Sequence, residues 1–233
     1  MSGGVALATD FGTFYPPNIT PDNVHGIGFW SQTEFNHAMR HGISPDGDPY
    51  YPSFPYTSYT RMTDADLGDL KAYLDSLPAI GKATPEHDLG FPFNLRYGLH
   101  LWQWLNFTPE TFLPNSHQSA AWNRGAYIVT GPGHCGECHS PRTLTMAMDT
   151  GVHLQGNEAG PDGEQVPGID MSKRNQPWLL DDLLFAIQIG MTPDGDFFGG
   201  SMAEVVENTS QLTAADQHAI ATYLANPEPP SNP

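Results

Sequence analysis

Residues 30 to 48, WSQTEFNHAMRHGISPDGD, align without a gap with residues 178 to 196, WLLDDLLFAIQIGMTPDGD, at an offset of 148. Trp30 matches Trp178, Ala38 matches Ala186, Gly42 matches Gly190, and the whole Pro-Asp-Gly-Asp run coincides. Self-similarity of this kind organises a chain into structural copies. Phe35, Ala38 and Met39 in the first copy, and Leu183, Leu184, Ala186 and Ile187 in the second, recur at the spacing of one helical face. Each copy therefore predicts a helix that stops at Gly42 or Gly190, followed by a turn in which Pro fixes φ and Gly permits positive φ.

A second match lies downstream at an offset of 150: Thr63-Asp64-Ala65-Asp66 and Thr213-Ala214-Ala215-Asp216. Each has a side-chain oxygen placed to cap a helix. Those helices close on Tyr73-Leu74 and Tyr223-Leu224, and the two tyrosines are read as core packing in preference to a cofactor contact. Between the copies runs FPFNLRYGLHLWQWLNF, residues 91 to 107, too rich in aromatics for a solvated linker. It reads as an ordered connector, with a docking surface for a partner as the alternative.

The chain holds 24 glycines and 22 prolines among 233 residues, which describes a loop-rich globular protein. Its 9 basic and 26 acidic residues give a net charge of −17. Phosphate-backbone binding needs clustered Lys and Arg, so nucleic acid is excluded as a partner and an anionic membrane surface is disfavoured. No run is long and apolar enough for a spanning helix, and MSGGVALATDFG lacks the basic start and apolar stretch of a signal peptide.

Both cysteines fall in Cys135-Gly136-Glu137-Cys138-His139. Cys-x-x-Cys-His is the attachment signature of haem c. Two thiols on one turn reach the two vinyl groups, and the adjacent imidazole takes the iron from the proximal side. A redox dithiol would not need the histidine, and a zinc site would need a second ligand pair. For the sixth position Met202 is the candidate, 63 residues after His139 in the Gly-rich run Gly199-Gly200-Ser201-Met202. A thioether there raises the reduction potential. Arg142 and Trp178 are candidate partners of a haem propionate.

With Trp122 to Tyr127, the Cys-x-x-Cys-His and the Gly200 to Val206 run, the sequence resembles a class I cytochrome c domain. Pro17-Asn18-Ile19-Thr20-Pro21-Asp22, Gly26-Ile27-Gly28 and Phe54-Pro55-Tyr56 make it similar to the multihaem cytochrome c subunits of bacterial membrane-associated alcohol, aldehyde and gluconate dehydrogenases. The resemblance covers essentially the whole chain. It implies an all-α fold and a periplasmic electron carrier with covalent haem c. Its redox partners would be a dehydrogenase subunit and a downstream acceptor, with electrons passing towards quinone or an oxidase.

The sequence departs from that pattern in its first half, which has no Cys-x-x-Cys-His. The offset of 148 puts the counterpart of Cys135 about thirteen residues before Met1. The expectation is a first unit shorn of its attachment segment, with a unit that carries no covalent haem as the alternative. The same offset sets Phe54 opposite Met202. Met62 then stands either as the distal ligand of a first-unit haem or as a packing residue, and His25, His37 and His41 are the other candidates for that iron.

The expected organisation is a cytochrome c-like unit at 1–80 lacking its first helix and motif, an aromatic connector at 81–118, and a cytochrome c domain at 119–233. An electron carrier without substrate chemistry is preferred to a haem enzyme such as a dihaem peroxidase or a thiosulfate-oxidising cytochrome. Membrane association is expected only through partners.

Overall fold

The computed structural model describes residues 1–160 and 163–230, so residues 161–162 and 231–233 of the expected 119–233 segment lie outside the described residues. The chain separates into two units, Met1–Thr111 and Phe112–Asn232. The division falls inside the stretch expected as a connector, with 81–111 belonging to the first unit. The fold is mostly helical, with short strands that an all-α reading omits.

In the first unit β1 (Leu7–Thr9), β2 (Gly12–Phe14) and β3 (Asp88–Leu89) form a small antiparallel sheet in that order. The repeat begins with α1 (Gln32–His41). Ser31 accepts from the Glu34 N–H while the Glu34 carboxylate accepts from the Ser31 N–H, a reciprocal cap, and Gly42 ends the helix at φ 63°. A side chain at Gly42 would run into the Tyr56 ring, which seats the four-residue α2 (Tyr56–Tyr59). Thr63 caps α3 (Asp64–Asp75), and α4 (Tyr97–Asn106) follows. Ile27, Phe35, Met39, Met62, Leu67 and Leu74 form the core of this unit.

The Asn-Ile-Thr-Pro loop is tied down by Asn18, whose amide donates to the carbonyls of Ile80 and Lys82 and whose carbonyl accepts from the Thr20 N–H. The side chain is buried, and these bonds satisfy it.

In the second unit α5 (Ala120–Thr130) packs along α9 (Ala214–Ala225), with α6 (Gly136–His139), α7 (Leu180–Ile189) and α8 (Gly200–Thr209) between them in sequence. Gly125 permits the crossing of α5 and α9, since a Cβ there would collide with the Ala219 carbonyl oxygen. The Trp122 and Tyr223 rings meet at 5.0 Å, and Trp122, Val129, Leu154, Leu183 and Ile220 complete the core. The strands β4 (Gly156–Asn157) and β5 (Val166–Pro167) pair antiparallel.

The two Pro-Asp-Gly-Asp turns have the same hydrogen bonds. Ser44 N–H donates to the Asp48 carbonyl as Thr192 N–H does to Asp196, both at 2.8 Å, and Gly47 and Gly195 take φ 88° and 85°. Gly190 faces Val206 as Gly42 faces Tyr56, an offset of 150. Two residues therefore enter the second copy between the turn and Val206, the interval that contains Met202.

The later helices differ in cover. Leu67, Lys71 and Leu74 of α3 are buried like Gln217, Ala221 and Leu224 of α9. Tyr223 is 1% exposed under α5, whereas Tyr73 is 55% exposed, because among the described residues no counterpart of α5 lies on α3. The core role expected for Tyr73 is not realised.

Candidate functional site

The Cys-x-x-Cys-His run lies just after α5. The chain leaves the helix through Gly131, bends at Gly133 and His134, the latter at φ 38°, and enters the single turn of α6. Cys135 N–H donates to Val129 carbonyl at 3.1 Å and His139 N–H to Cys135 carbonyl at 3.0 Å, so Cys135, Cys138 and His139 share one tight turn. Gly136 between the cysteines packs closely against two side chains: a Cβ there would come 2.7 Å from Met148 Sδ and 3.2 Å from His153 Cε1, so the Met148 side chain would have to shift.

His139 is buried, and its Nδ1 lies 2.7 Å from the Pro167 carbonyl oxygen on β5. A carbonyl only accepts, so Nδ1 carries the proton and Nε2 keeps its lone pair. Burial holds the imidazole below its usual pKa, against the opposing pull of the Pro167 bond. The ring is thus a neutral, oriented nitrogen donor, the state a metal ligand requires.

The two cysteines are not cross-linked and are partly buried. Part of Cys135 reaches solvent, but burial around its sulfur pushes the thiol up to about 12, so it is uncharged at neutral pH. Two thiols and a neutral imidazole on one turn are the donor set that haem c attachment needs, and the residues present fit that group.

Sequence reasoning missed three supports of this turn. The Pro167 carbonyl is a backbone atom 28 residues beyond His139 and has no side-chain signature. Arg142 donates from one guanidinium nitrogen to both the Glu137 carbonyl, at 2.6 Å, and the Glu137 carboxylate, at 2.9 Å. Glu137 is buried inside the motif, so the pair ties the turn to the segment that follows it. His153 is buried beside Gly136, with Nε2 3.5 Å from the Tyr223 hydroxyl. That hydroxyl donates to the Glu228 carbonyl at 2.6 Å.

Met202 occupies the first turn of α8 and is half-buried. The segment before it is set by the stacking of Phe198 on Trp178, centroids 6.5 Å apart, and the Arg174 guanidinium lies over the Trp178 ring at 5.2 Å from its centroid. In the first unit Met62 is buried within the core, and the Arg40 guanidinium donates to its carbonyl at 2.7 Å. Phe54 packs at the edge of that core beside Tyr50 and Tyr59. His37 and His41 stack on α1 at 4.7 Å between centroids.

No protein-family model matches the chain. Among curated proteins it is 46% identical over 225 residues to a diheme cytochrome c-type protein of Cereibacter sphaeroides, covering 96% of this chain and 75% of that protein. It is 37% identical over 236 residues to the gluconate 2-dehydrogenase cytochrome c subunit of Pantoea cypripedii, covering 96% of this chain and 53% of that subunit. It is also 41% identical over 229 residues to a nicotinate dehydrogenase subunit of Pseudomonas putida, covering 97% of this chain and 19% of that protein. The chain thus spans three quarters of the first relative, about half of the second and a fifth of the third. With a Cys-x-x-Cys-His turn built to receive haem, and this likeness over nearly its full length, the chain belongs to the c-type cytochromes, the electron-transfer family that carries covalently bound haem c.

Proposed function

We propose that this protein is a periplasmic electron carrier built from two cytochrome c-like units. It serves as the cytochrome subunit of a dehydrogenase complex, taking electrons from the dehydrogenase and passing them towards quinone or an oxidase. The relatives named as cytochrome c subunits of alcohol, gluconate and fructose dehydrogenases support this reading.

Haem c supplies, when bound, a one-electron iron couple whose potential the protein sets. Cys135 and Cys138 would hold the group by thioether links and His139 Nε2 would bind the iron. Met202 would supply a further ligand to the iron, and Arg142 and Trp178 would serve the propionates. For a first-unit haem, Met62 is the candidate ligand. The observation that carries the reading is the buried His139 ring, whose Nδ1 is committed to Pro167 so that Nε2 alone is left to bind. Burial of the ligand turn keeps water from the proximal side and fixes the ring against rotation.

A Met202→Leu variant of the holoprotein tests the assignment. Loss of the thioether should lower the reduction potential, abolish the methionine-to-iron charge-transfer band and open the iron to cyanide. An unchanged potential and band would remove Met202 from the ligand set. Mass and pyridine haemochrome absorbance of the same preparation count the haems, and Cys135→Ala with Cys138→Ala should end covalent attachment.

A further inference from the structure

Two of the ten histidines stand one turn apart on α1, His37 and His41, with ring centroids 4.7 Å apart and planes inclined by 29°. The helix commits Phe35, Ala38 and Met39 to the core, and the pair lies on the other side, His37 exposed and His41 half-buried. In the second copy the offset of 148 puts Phe185 and Ile189 at these positions, so the two imidazoles belong to the first unit alone.

Side chains at i and i+4 are neighbours on a helix surface, and this is the spacing at which His-x-x-x-His pairs take a metal. An imidazole nitrogen binds a late first-row divalent cation at about 2.0–2.1 Å, which sets each ring centre about 3.2 Å from the ion. Two rings on adjacent corners of a square or an octahedron then have centres about 4.5 Å apart. The observed 4.7 Å matches, and rotation of each ring about its last side-chain bond, a soft torsion, is enough to aim the nitrogens.

The surroundings suit one cation better than two protons. Burial, the neighbouring His37 ring and Arg40 hold His41 below its usual pKa, so its imidazole is neutral at neutral pH. Both rings sit in the last turns of α1, the end of a helix that favours positive charge. The Arg40 guanidinium is turned to Thr111, to the Met62 carbonyl and to Asp64, whose carboxylate offsets its charge at 2.9 Å. Glu34 is engaged with Ser31, and α4 meets His41 through the uncharged Gln103, which donates to the His41 carbonyl at 3.2 Å. Among the described residues no group of three or more His, Cys, Asp and Glu side chains is placed to hold a metal, so water fills the remaining positions around the ion.

We infer that His37 and His41 form a surface seat for one exchangeable divalent cation of the late first row, the class of Zn(II), Ni(II) and Cu(II). Imidazole suits these ions, whereas Mg(II) and Ca(II) prefer oxygen. The bound ion clips the last two turns of α1 together and stabilises the first unit by mass action. The seat uses neither cysteine and lies in the other unit from the Cys-x-x-Cys-His turn, so it stands or falls independently of the proposed electron transfer.

Equilibrium dialysis of the haem-loaded full chain against Zn(II), with the metal counted by atomic emission, tests it beside His37→Gln, His41→Gln and the control His117→Gln. The expected result is one equivalent per chain, not displaced by excess Mg(II), held at least tenfold more weakly by either α1 variant and unchanged in His117→Gln. Affinity should also fall at least tenfold from about pH 7 to about pH 5, as both imidazoles take protons. A parent that binds no equivalent, or an α1 variant that holds Zn(II) as tightly as the parent, overturns the inference. His37 is exposed, so its replacement leaves the fold in place, and haem absorbance of every sample checks that the chain is intact. A haem spectrum that changes in step with Zn(II) uptake overturns the assignment as well, because the ion would then be reaching the haem ligands.

Discussion

Arg142 illustrates how one side chain can hold the Cys-x-x-Cys-His turn from the segment that follows it. Its contact with both the carbonyl and the carboxylate of Glu137 is a charge-assisted pair whose acidic partner is buried. Replacing it with alanine removes the counter-charge and should destabilise the second unit by about 2 kcal/mol, read as a lower urea midpoint of the holoprotein. Glu137→Gln, which keeps an acceptor for the guanidinium, should cost less; equal losses would mean that the charge does not matter. At this scale the turn that brings Cys135, Cys138 and His139 together was legible because cysteine and histidine spacing is local and chemically specific. The proton position on His139 was not, because it is decided by a main-chain oxygen on a strand of two residues, too short for any periodicity to announce.

Helix ends were equally local matters: Ser31, Thr63 and Thr213 each receive a backbone N–H, and Gly42 and Gly190 each terminate a helix in the left-handed region. What periodicity cannot tell is whether a second element covers an apolar face, which is why Tyr73 and Tyr223 read alike in sequence and differ in space. The α5 and α9 pair has an electrostatic as well as a steric lock. Arg124 donates to both carboxylate oxygens of Asp216, at 2.7 and 3.2 Å, and this hydrogen bonding holds the Asp216 carboxyl below the usual carboxylate range. A depressed folded-state pKa stabilises the fold above the unfolded value of about 4, and that contribution is lost as pH falls through the folded value. Asp216→Asn should therefore flatten the stability curve of the second unit below about pH 4 while leaving its shape near neutrality unchanged; identical acid limbs for parent and variant would show that the pair carries no linkage.

Over the whole molecule, the repeat correctly announced two copies of a helix and turn, because its matching positions are the apolar face and the turn residues that fix both. The end of the first unit was harder to read, since an aromatic run states that packing exists without stating with what; Phe107 meets Tyr56 at 5.1 Å while Phe112 meets Tyr127 at 5.5 Å, so neighbouring aromatics serve different units. The bare ring of Tyr73 has a thermodynamic consequence. Tyr223 of α9 is covered by α5, whereas among the described residues no such helix covers Tyr73 of α3, so the two units should melt at different temperatures. Scanning calorimetry of the protein should resolve two heat-absorption peaks, the lower one belonging to Met1–Thr111, with a calorimetric enthalpy larger than the van't Hoff value. One symmetric peak with the two enthalpies equal would mean that the units, unequal in cover, nonetheless share their cooperativity.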